Sequence, residues 1–359
     1  MNSFHAIGLM SGTSLDGVDL AYCRFTYKND NWIYKILYTT TLTYEKSWVE
    51  RLKNLTEASA GCFVRENHAY GDYLGTLVKN FINTHNLQPD FVSSHGHTIF
   101  HQPQEHLSFQ LGDGAYLAAA AGLPVVCDFR TLDIALGGQG APLVPIGDRL
   151  LFPEYAYCLN LGGIANVSFE QQGRRMAFDT CACNMLLNTL ANELGLDYDA
   201  GGRVARQGNL HQPTLDELNQ ASFFSAPYPK SLGKEWVDAH SLATLQAAPV
   251  PVEDKLQTAS LHIAQQIARA LQSLGQDPGK PQRVLLTGGG AFNTYLVELI
   301  RRFLGPAYEV VVPEPELVNF KEALVFAFLG VLRWRQEINC LSSATGARKD
   351  NVGGAIYFN

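Results

Sequence analysis

The 359-residue chain predicts an α/β fold of two domains, on three observations. Apolar, strand-like runs alternate with stretches of helical spacing, the pattern of parallel β–α–β pairing. A strand–Gly turn–strand–strand meander opens at Phe4 and restarts at Tyr155. The length also exceeds what one hydrophobic core usually organises. A Gly/Pro loop, Leu136 to Pro145, marks the expected junction. The domains are therefore read as 1–145 and 146–359, with the Gly-rich tail from Cys340 crossing back to the first.

In order, Phe4–Met10 and Val18–Phe25 read as paired strands, and Trp32–Tyr44 as a third. Glu45–Ala58 and Cys62–Asn86 carry helical spacing. Asp90–Ser94 is a short buried strand ending in Ser-His-Gly-His-Thr98. An alanine-rich helix, Ala115–Ala121, follows, and Asp113 is placed to cap it. Pro124–Asp128 is a strand running into Phe129-Arg130. In the second half, Tyr155–Leu161, Ile164–Phe169 and Arg174–Phe178 form the recurring meander, which ends at Asp179. A polar excursion from Gly201 holds a helix near Thr214–Ala221. Val252–Leu274 is a long helix, and Arg283–Thr287 a strand breaking through Gly288-Gly289-Gly290 into a helix at Asn293. Glu309–Pro313 is a strand, and Asn319–Arg335 an apolar helix with Glu322 in its first turn.

Composition narrows the function. Hydrophobic residues are 46% and charged residues 17%, which suits a globular protein with a sizeable core. A net charge of −7 offers no basic surface to a phosphate backbone, so nucleic acid is excluded as a partner. No apolar run reaches the length of a membrane span, and the start lacks a basic segment followed by a plain apolar one. No membrane partner is expected, and the expected location is the cytoplasm. Seven scattered cysteines fit reduced thiols better than a disulfide framework.

Chemistry concentrates in the turns. Ser11-Gly12-Thr13-Ser14-Leu15-Asp16-Gly17 joins the first two strands. Its glycines allow close backbone approach, and its N–H groups and hydroxyls can surround phosphate oxygens. Asp16 and Asp19 can hold a phosphate-bound magnesium, directly or through water. An ordinary hairpin turn would use the same residue types. The Gly162-Gly163 turn and the Gly288–Gly290 turn repeat the theme, the latter at a helix N-terminus suited to anions. Asp179 can act as a general base at a strand end or can cap the helix from Asn184. His95, His97 and His101 lack a fixed ligand spacing, and Cys181 and Cys183 are expected as packed thiols rather than a metal or redox pair.

The wording of these turns goes further. Ile7-Gly-Leu-Met-Ser-Gly-Thr-Ser-Leu-Asp-Gly-Val-Asp19 resembles the signature of the anhydro-N-acetylmuramic acid kinases. So do Ser94-His-Gly-His-Thr98, Val125–Arg130, Asn160–Val167, Leu286–Asn293 and Lys321-Glu-Ala323. The resemblance spans nearly the whole chain. It implies the two-domain sugar kinase/Hsp70/actin fold, ribonuclease H-like, with an ATP cleft between the domains.

It also implies an ATP- and magnesium-dependent enzyme that opens the 1,6-anhydro ring of anhydro-N-acetylmuramic acid and phosphorylates it. The product would be N-acetylmuramic acid 6-phosphate, formed in peptidoglycan recycling by a cytoplasmic homodimer. The resemblance puts ATP on Gly12, Thr13, Ser14, Leu15, Asp16, Gly17, Val18, Asp19, Gly162, Gly163, Gly288, Gly289, Gly290 and Asn293. It puts the sugar on His95, Thr98, Asp128, Arg130 and Glu322, and the catalytic role on Asp179. Arg130 can pair bidentately with the lactyl carboxylate, or form a structural ion pair with Asp133. Glu322 can bond a sugar hydroxyl or simply stabilise its helix N-terminus.

One departure stands out. The family reads Phe-Asp-Thr-Gly-Pro-Gly-Asn where this chain has Phe178-Asp-Thr-Cys-Ala-Cys-Asn184. Two glycines are replaced by residues that disfavour positive φ. The alternatives are a kinase for another amino or anhydro sugar, an actin- or Hsp70-like ATPase without a sugar substrate, and a non-catalytic sugar sensor.

Overall fold

The computed structural model describes residues 3–12, 15–275 and 281–358. It divides into two compact units, Met1–Phe152 with Phe320–Asn359, and Pro153–Asn319.

The first unit holds β1 (Ser3–Ser11), β2 (Val18–Lys28), β3 (Asn31–Leu42), β4 (Phe91–Gln102), β5 (Leu107–Leu111), β6 (Val125–Cys127) and the chain's closing strand, Ala355–Tyr357. The sheet runs closing strand–β6–β4–β1–β2–β3, with β5 paired to β4. β1, β2 and β3 pair antiparallel, whereas β1–β4 and β4–β6 are parallel. The parallel step from β3 to β4 needs a crossover, and helix Ala60–His85 supplies it. Ser59 caps that helix at the Cys62 N–H, and Asn86 ends it in the left-handed conformation.

The second unit holds β7 (Tyr157–Leu161), β8 (Ile164–Gln171), β9 (Arg174–Ala182), β10 (Gln282–Thr287) and β11 (Tyr308–Val311), in the order β11–β10–β7–β8–β9. Here too the first three strands form an antiparallel meander, and the last two join the central strand in parallel. With β5, which pairs only with β4, and the closing strand set aside, the first unit has the same order as the second, 3-2-1-4-5. This is the ribonuclease H-like strand order that the resemblance implies, present once in each unit.

Each sheet buries its own core. Ile7, Leu9, Leu20, Tyr70, Leu74 and Val92 lie in the first, and Leu159, Val167, Leu186, Ile263, Leu286 and Ile300 in the second. Helix Pro315–Trp334 packs closely on the first sheet, with Phe328 against Phe25 and Trp32 and with glycines at the tightest approaches. A Cβ on Gly8 would sit 1.9 Å from the Ala323 carbonyl oxygen, and one on Gly330 would sit 2.6 Å from Ser93.

Four details differ from the sequence expectations. Packing places the first division after Phe152 rather than at 145, because helix Val144–Leu151 buries Asp148 against Lys321, 2.7 Å away in the same unit. β4 continues to Gln102, so the Ser94–Thr98 motif lies within a strand that Gly96 kinks at φ 73°. β9 runs past Asp179 to Ala182. The last long helix starts at Pro315, whose ring suits the first helical turn. Glu316 therefore occupies that turn, and Glu322 lies two turns further in.

Candidate active site

In the first unit the candidate residues gather around the ends of β1, β4 and β6. After β1 the chain turns at Gly12, whose carbonyl accepts the Leu15 N–H at 3.4 Å, and Leu15 itself takes φ 58°. A Cβ on Gly17 would fall 2.5 Å from the Leu42 carbonyl oxygen, so β3 admits only glycine there. Thr13 and Ser14 lie outside the described residues. The turn is anchored by Ser11, whose hydroxyl bonds His97 Nδ1 at 2.8 Å and the Tyr44 hydroxyl at 2.6 Å. Tyr44 in turn bonds Tyr70. Burial lowers His97 to about 4, so it serves this network as a neutral ring.

Asp19 is the second residue of β2 and accepts the Thr41 hydroxyl at 2.6 Å. Burial raises its carboxyl, Thr41 opposes the rise, and the nearby Asp16 charge adds to it. Two carboxylates that repel each other favour an intervening cation. Among the described residues no group of three or more His, Cys, Asp or Glu could hold a metal. Magnesium, however, is often held by one or two carboxylates together with phosphate and water.

His95 and Arg130 form one hydrogen-bonded unit. His95 Nδ1 lies 2.8 Å from the Gly96 carbonyl, which can only accept, so Nδ1 carries the proton. Nε2 is then an acceptor, and Arg130 donates to it from Nε at 3.1 Å and Nη2 at 2.8 Å. Burial first and the Arg130 charge second hold His95 well below its ordinary value. Arg130 Nη1 donates to the Gly140 carbonyl at 2.6 Å. These bonds use three of the five guanidinium donors and leave one N–H on each Nη for a carboxylate. The partners are thus His95 and Gly140, not an ion pair with Asp133. Burial lowers Arg130 to about 10, while Glu322, Cys340 and Asp133 pull it back up.

Glu322 is solvent-accessible, yet surrounding protein raises its carboxyl, with Lys321 and Arg130 opposing the rise and Asp19 reinforcing it. Its depth in the helix removes the helix-terminus reading. Asp128 is exposed at φ 59° and accepts the Thr131 hydroxyl. Thr98 is 3.4 Å from Gln110 Nε2 across the β4–β5 pair. His101 is exposed near Ser108 and joins none of these groups. Asp113 caps the alanine-rich helix through Ala115 N–H at 3.0 Å and Tyr116 N–H at 3.2 Å.

In the second unit the two Gly turns follow neighbouring parallel strands, with Thr287 of β10 in register with Asn160 of β7. Strand ends at one edge of a parallel sheet are where such folds bind ligands. The carbonyls of Gly162 and Gly163 accept the N–H groups of Asn184 at 3.1 Å and Cys183 at 2.8 Å. Gly288, at φ 81°, has Asn160 Oδ1 only 2.5 Å from where a Cβ would be, and Gly290 has Leu161 Cβ at 2.7 Å. Gly289 differs: the nearest atom, Asn184 Nδ2, is 3.8 Å away. The chain itself does not require glycine there, whereas a closely approaching ligand would. Asn293 caps helix Thr294–Leu304 through the Leu296 N–H at 3.0 Å.

Asp179 lies inside β9 and caps no helix; the residue before helix Asn184–Asn192 is Cys183, which makes no side-chain cap bond. Asp179 donates its N–H to the Lys230 carbonyl at 3.0 Å, and its Oδ2 accepts the Leu232 N–H at 2.8 Å. Burial raises its carboxyl to about 6, against the Leu232 bond.

The family model for anhydro-N-acetylmuramic acid kinase matches residues 4–359. The chain belongs to the anhydro-N-acetylmuramic acid kinase family. A relative from Gloeobacter violaceus bearing that name is 37% identical over 375 residues, covering 98% of each chain. Another, from Francisella tularensis subsp. novicida, is 33% identical and covers 99% of this chain and 98% of its own. A third, from Zymomonas mobilis, is 32% identical over 98% of this chain and 99% of its own.

The departure from the pattern of the anhydro-N-acetylmuramic acid kinases is absorbed by packing. Neither Cys181 nor Cys183 has positive φ, so neither position demands glycine here. Both side chains are fully buried among Leu186, Leu187 and Ile263, and burial pushes the Cys181 thiol up to about 12. Sequence reasoning missed Tyr44, Tyr70, Gly140, Lys230 and Leu232. Each acts through a hydroxyl or backbone group that carries no motif. Gly202 was within reach: it takes φ 70°, and a Cβ there would lie 2.3 Å from Asn293 Oδ1.

Proposed function

We propose that the protein phosphorylates anhydro-N-acetylmuramic acid with ATP while opening its 1,6-anhydro ring, giving N-acetylmuramic acid 6-phosphate for peptidoglycan recycling. The observation that carries this reading is Asp179, a carboxylate raised to about 6 with a single backbone donor on Oδ2. A base with a pKa just below neutrality is ionised at pH 7 and still takes a proton readily.

Asp179 removes a proton from the water that attacks the anomeric carbon. The C1–O6 bond breaks, and O6 takes the phosphoryl group. ATP supplies that group, and the Gly12–Asp19, Gly162-Gly163 and Gly288–Gly290 turns are the residues we assign to hold it. Gly289, with no atom of the described residues beyond its chain neighbours closer than 3.8 Å to a Cβ, fits such a ligand. Asp16 and Asp19 are assigned to magnesium. Arg130 and His95 orient the lactyl carboxylate, with Thr98, Asp128 and Glu322 around the sugar. The homodimer and the cytoplasmic location rest on the family resemblance. No helix of the described residues is long and apolar enough to cross a membrane.

The test is product mass after incubation with Mg-ATP and the anhydro sugar. A gain of one phosphoryl group plus one water is expected. Consumption of ATP with unchanged sugar would overturn the reading in favour of an ATPase.

A further inference from the structure

The guanidinium of Arg130 is aimed by a bond to a backbone carbonyl, that of Gly140, and Gly140 lies in a Gly/Pro loop between two short helices. What holds that loop is Asp133, one turn after Arg130 and fully buried. Its Oδ2 accepts the Gly140 N–H at 2.9 Å. Its Oδ1 accepts three further donors, all from the end of the chain: the Thr345 hydroxyl at 2.9 Å, Asn351 Nδ2 at 2.9 Å and the Cys340 thiol at 3.1 Å. Backbone bonds reinforce the joint, with Gln139 N–H donating to the Thr345 carbonyl at 2.9 Å and Arg348 N–H to the Leu136 carbonyl at 3.1 Å. A Cβ on Gly138 would lie 2.2 Å from Asp133 Oδ2, so the loop can close on the carboxylate only with glycine there. The tail holds the other flank of Arg130 as well, because the closing strand, β12 (Ala355–Tyr357), pairs antiparallel with β6.

We infer that Asp133 is a positioning residue for the sugar. It couples the tail segment 340–351 to Arg130 through Gly140, and this sets where the guanidinium meets the lactyl carboxylate. A buried carboxylate taking four donors is more than a loop tie requires. One acceptor would fix Gly140, and the three tail donors make the fix depend on residues two hundred positions away. The inference rests on the proposed role of Arg130, and its test separates the two.

The full-length enzyme is assayed as Thr345→Val, Asp133→Asn, Arg130→Lys and the double variant R130K/D133N, recording kcat and KM for both substrates. Thr345→Val removes one donor and keeps the shape, so it reports even where Asp133→Asn fails to fold. Loss of a hydrogen bond that orients a charged group is expected to raise the sugar KM about tenfold in Thr345→Val, with the ATP KM unmoved. The double variant should bind sugar no worse than Arg130→Lys alone, because Asp133 acts through Arg130. A lowered melting temperature with a wild-type sugar KM in Thr345→Val, or additive losses in the double variant, would overturn the coupling. A wild-type sugar KM in Arg130→Lys would instead overturn the assignment of Arg130, and the coupling with it.

Discussion

Leu232 donates its N–H to Asp179 Oδ2 across 2.8 Å, and Asp179 returns its own N–H to the Lys230 carbonyl at 3.0 Å. β9 is the edge of its sheet, so these bonds do for Asp179 what a neighbouring strand would. The candidate base is fixed in place by a loop that leaves its carboxylate half-buried.

That geometry predicts a clean loss in Asp179→Asn. The amide oxygen can still accept the Leu232 N–H, so the fold should persist while proton acceptance vanishes. General-base catalysis contributes about 10²–10⁴-fold. Product formation should drop by about that factor, with the circular dichroism spectrum unchanged. Activity within a few-fold of wild type would assign the base elsewhere.

The raised Asp179 carboxyl also fixes two pH dependences of opposite consequence. Activity should fall on acidification through about pH 6, as the base is protonated. Stability runs the other way: the folded value lies above the unfolded 3.8. The folded state therefore binds more protons between the two, and stability is lost as pH rises from about 4 to 6. Above that window the ionised group costs at most about 3 kcal/mol. Asp179→Asn should therefore melt higher than wild type at pH 7. Equal melting temperatures at pH 7 would refute the raised value.

His262 gives the reverse sign. It is buried, donates from Nδ1 to Asn219 Oδ1 at 2.9 Å, and is pushed down to about 3 by burial first and Arg269 second. Its neutral form belongs to the fold, so its stability contribution is complete above about pH 6.5 and is lost as pH falls towards 3. Each unit in that window costs about 1.4 kcal/mol. Thermal melts at pH 7 and pH 5 should show a larger drop for wild type than for His262→Gln. Parallel losses in the two proteins would rule out this histidine as the source.

Residue types and spacing made much of this legible, where the causes were local. The Gly turns after β1, β7 and β10, the Asp113 cap and the Asn293 cap are each written in a few adjacent residues. Asp179 is legible in the sequence, but its neighbourhood is not. Leu232 and Lys230 contribute only backbone atoms, and a backbone N–H looks the same in every residue. Proximity in sequence offers Asp133 as a mate for Arg130, whereas its partners Cys340, Thr345 and Asn351 arrive from the tail. The apolar periodicity of the late helix is strong only from Asn319, so the sequence puts Glu322 in a first turn that Glu316 occupies in the fold.

The three late glycines should separate by mutation. Gly290→Ala would press a Cβ to 2.7 Å from Leu161 Cβ and should destabilise the protein. Gly289→Ala meets no described atom beyond its chain neighbours closer than 3.8 Å, so folding should be untouched. With ATP passing close to Gly289, the added methyl should raise the ATP KM about tenfold or more, since a lost close contact readily costs about 1–2 kcal/mol. The sugar KM should not move. An unchanged ATP KM in Gly289→Ala would remove this turn from the nucleotide site.

Restoring the family's glycines at 181 and 183 should weaken this protein. Neither position has positive φ, so neither needs the left-handed conformation that glycine favours. It deletes two buried thiols from the core of the second unit and adds chain entropy to the unfolded state. Cavity and entropy together amount to about 1–2 kcal/mol per site. Cys181→Gly and Cys183→Gly should each lower the urea midpoint, and the double variant should show roughly the sum unless the two neighbouring holes collapse into one. The catalytic constants should stay near wild type, because Asp179 takes its position from Lys230 and Leu232 rather than from the residues after it. Lower stability with retained turnover would mark the cysteines as a packing substitution. A gain in kcat in the glycine variants would mean instead that the thiols distort the base.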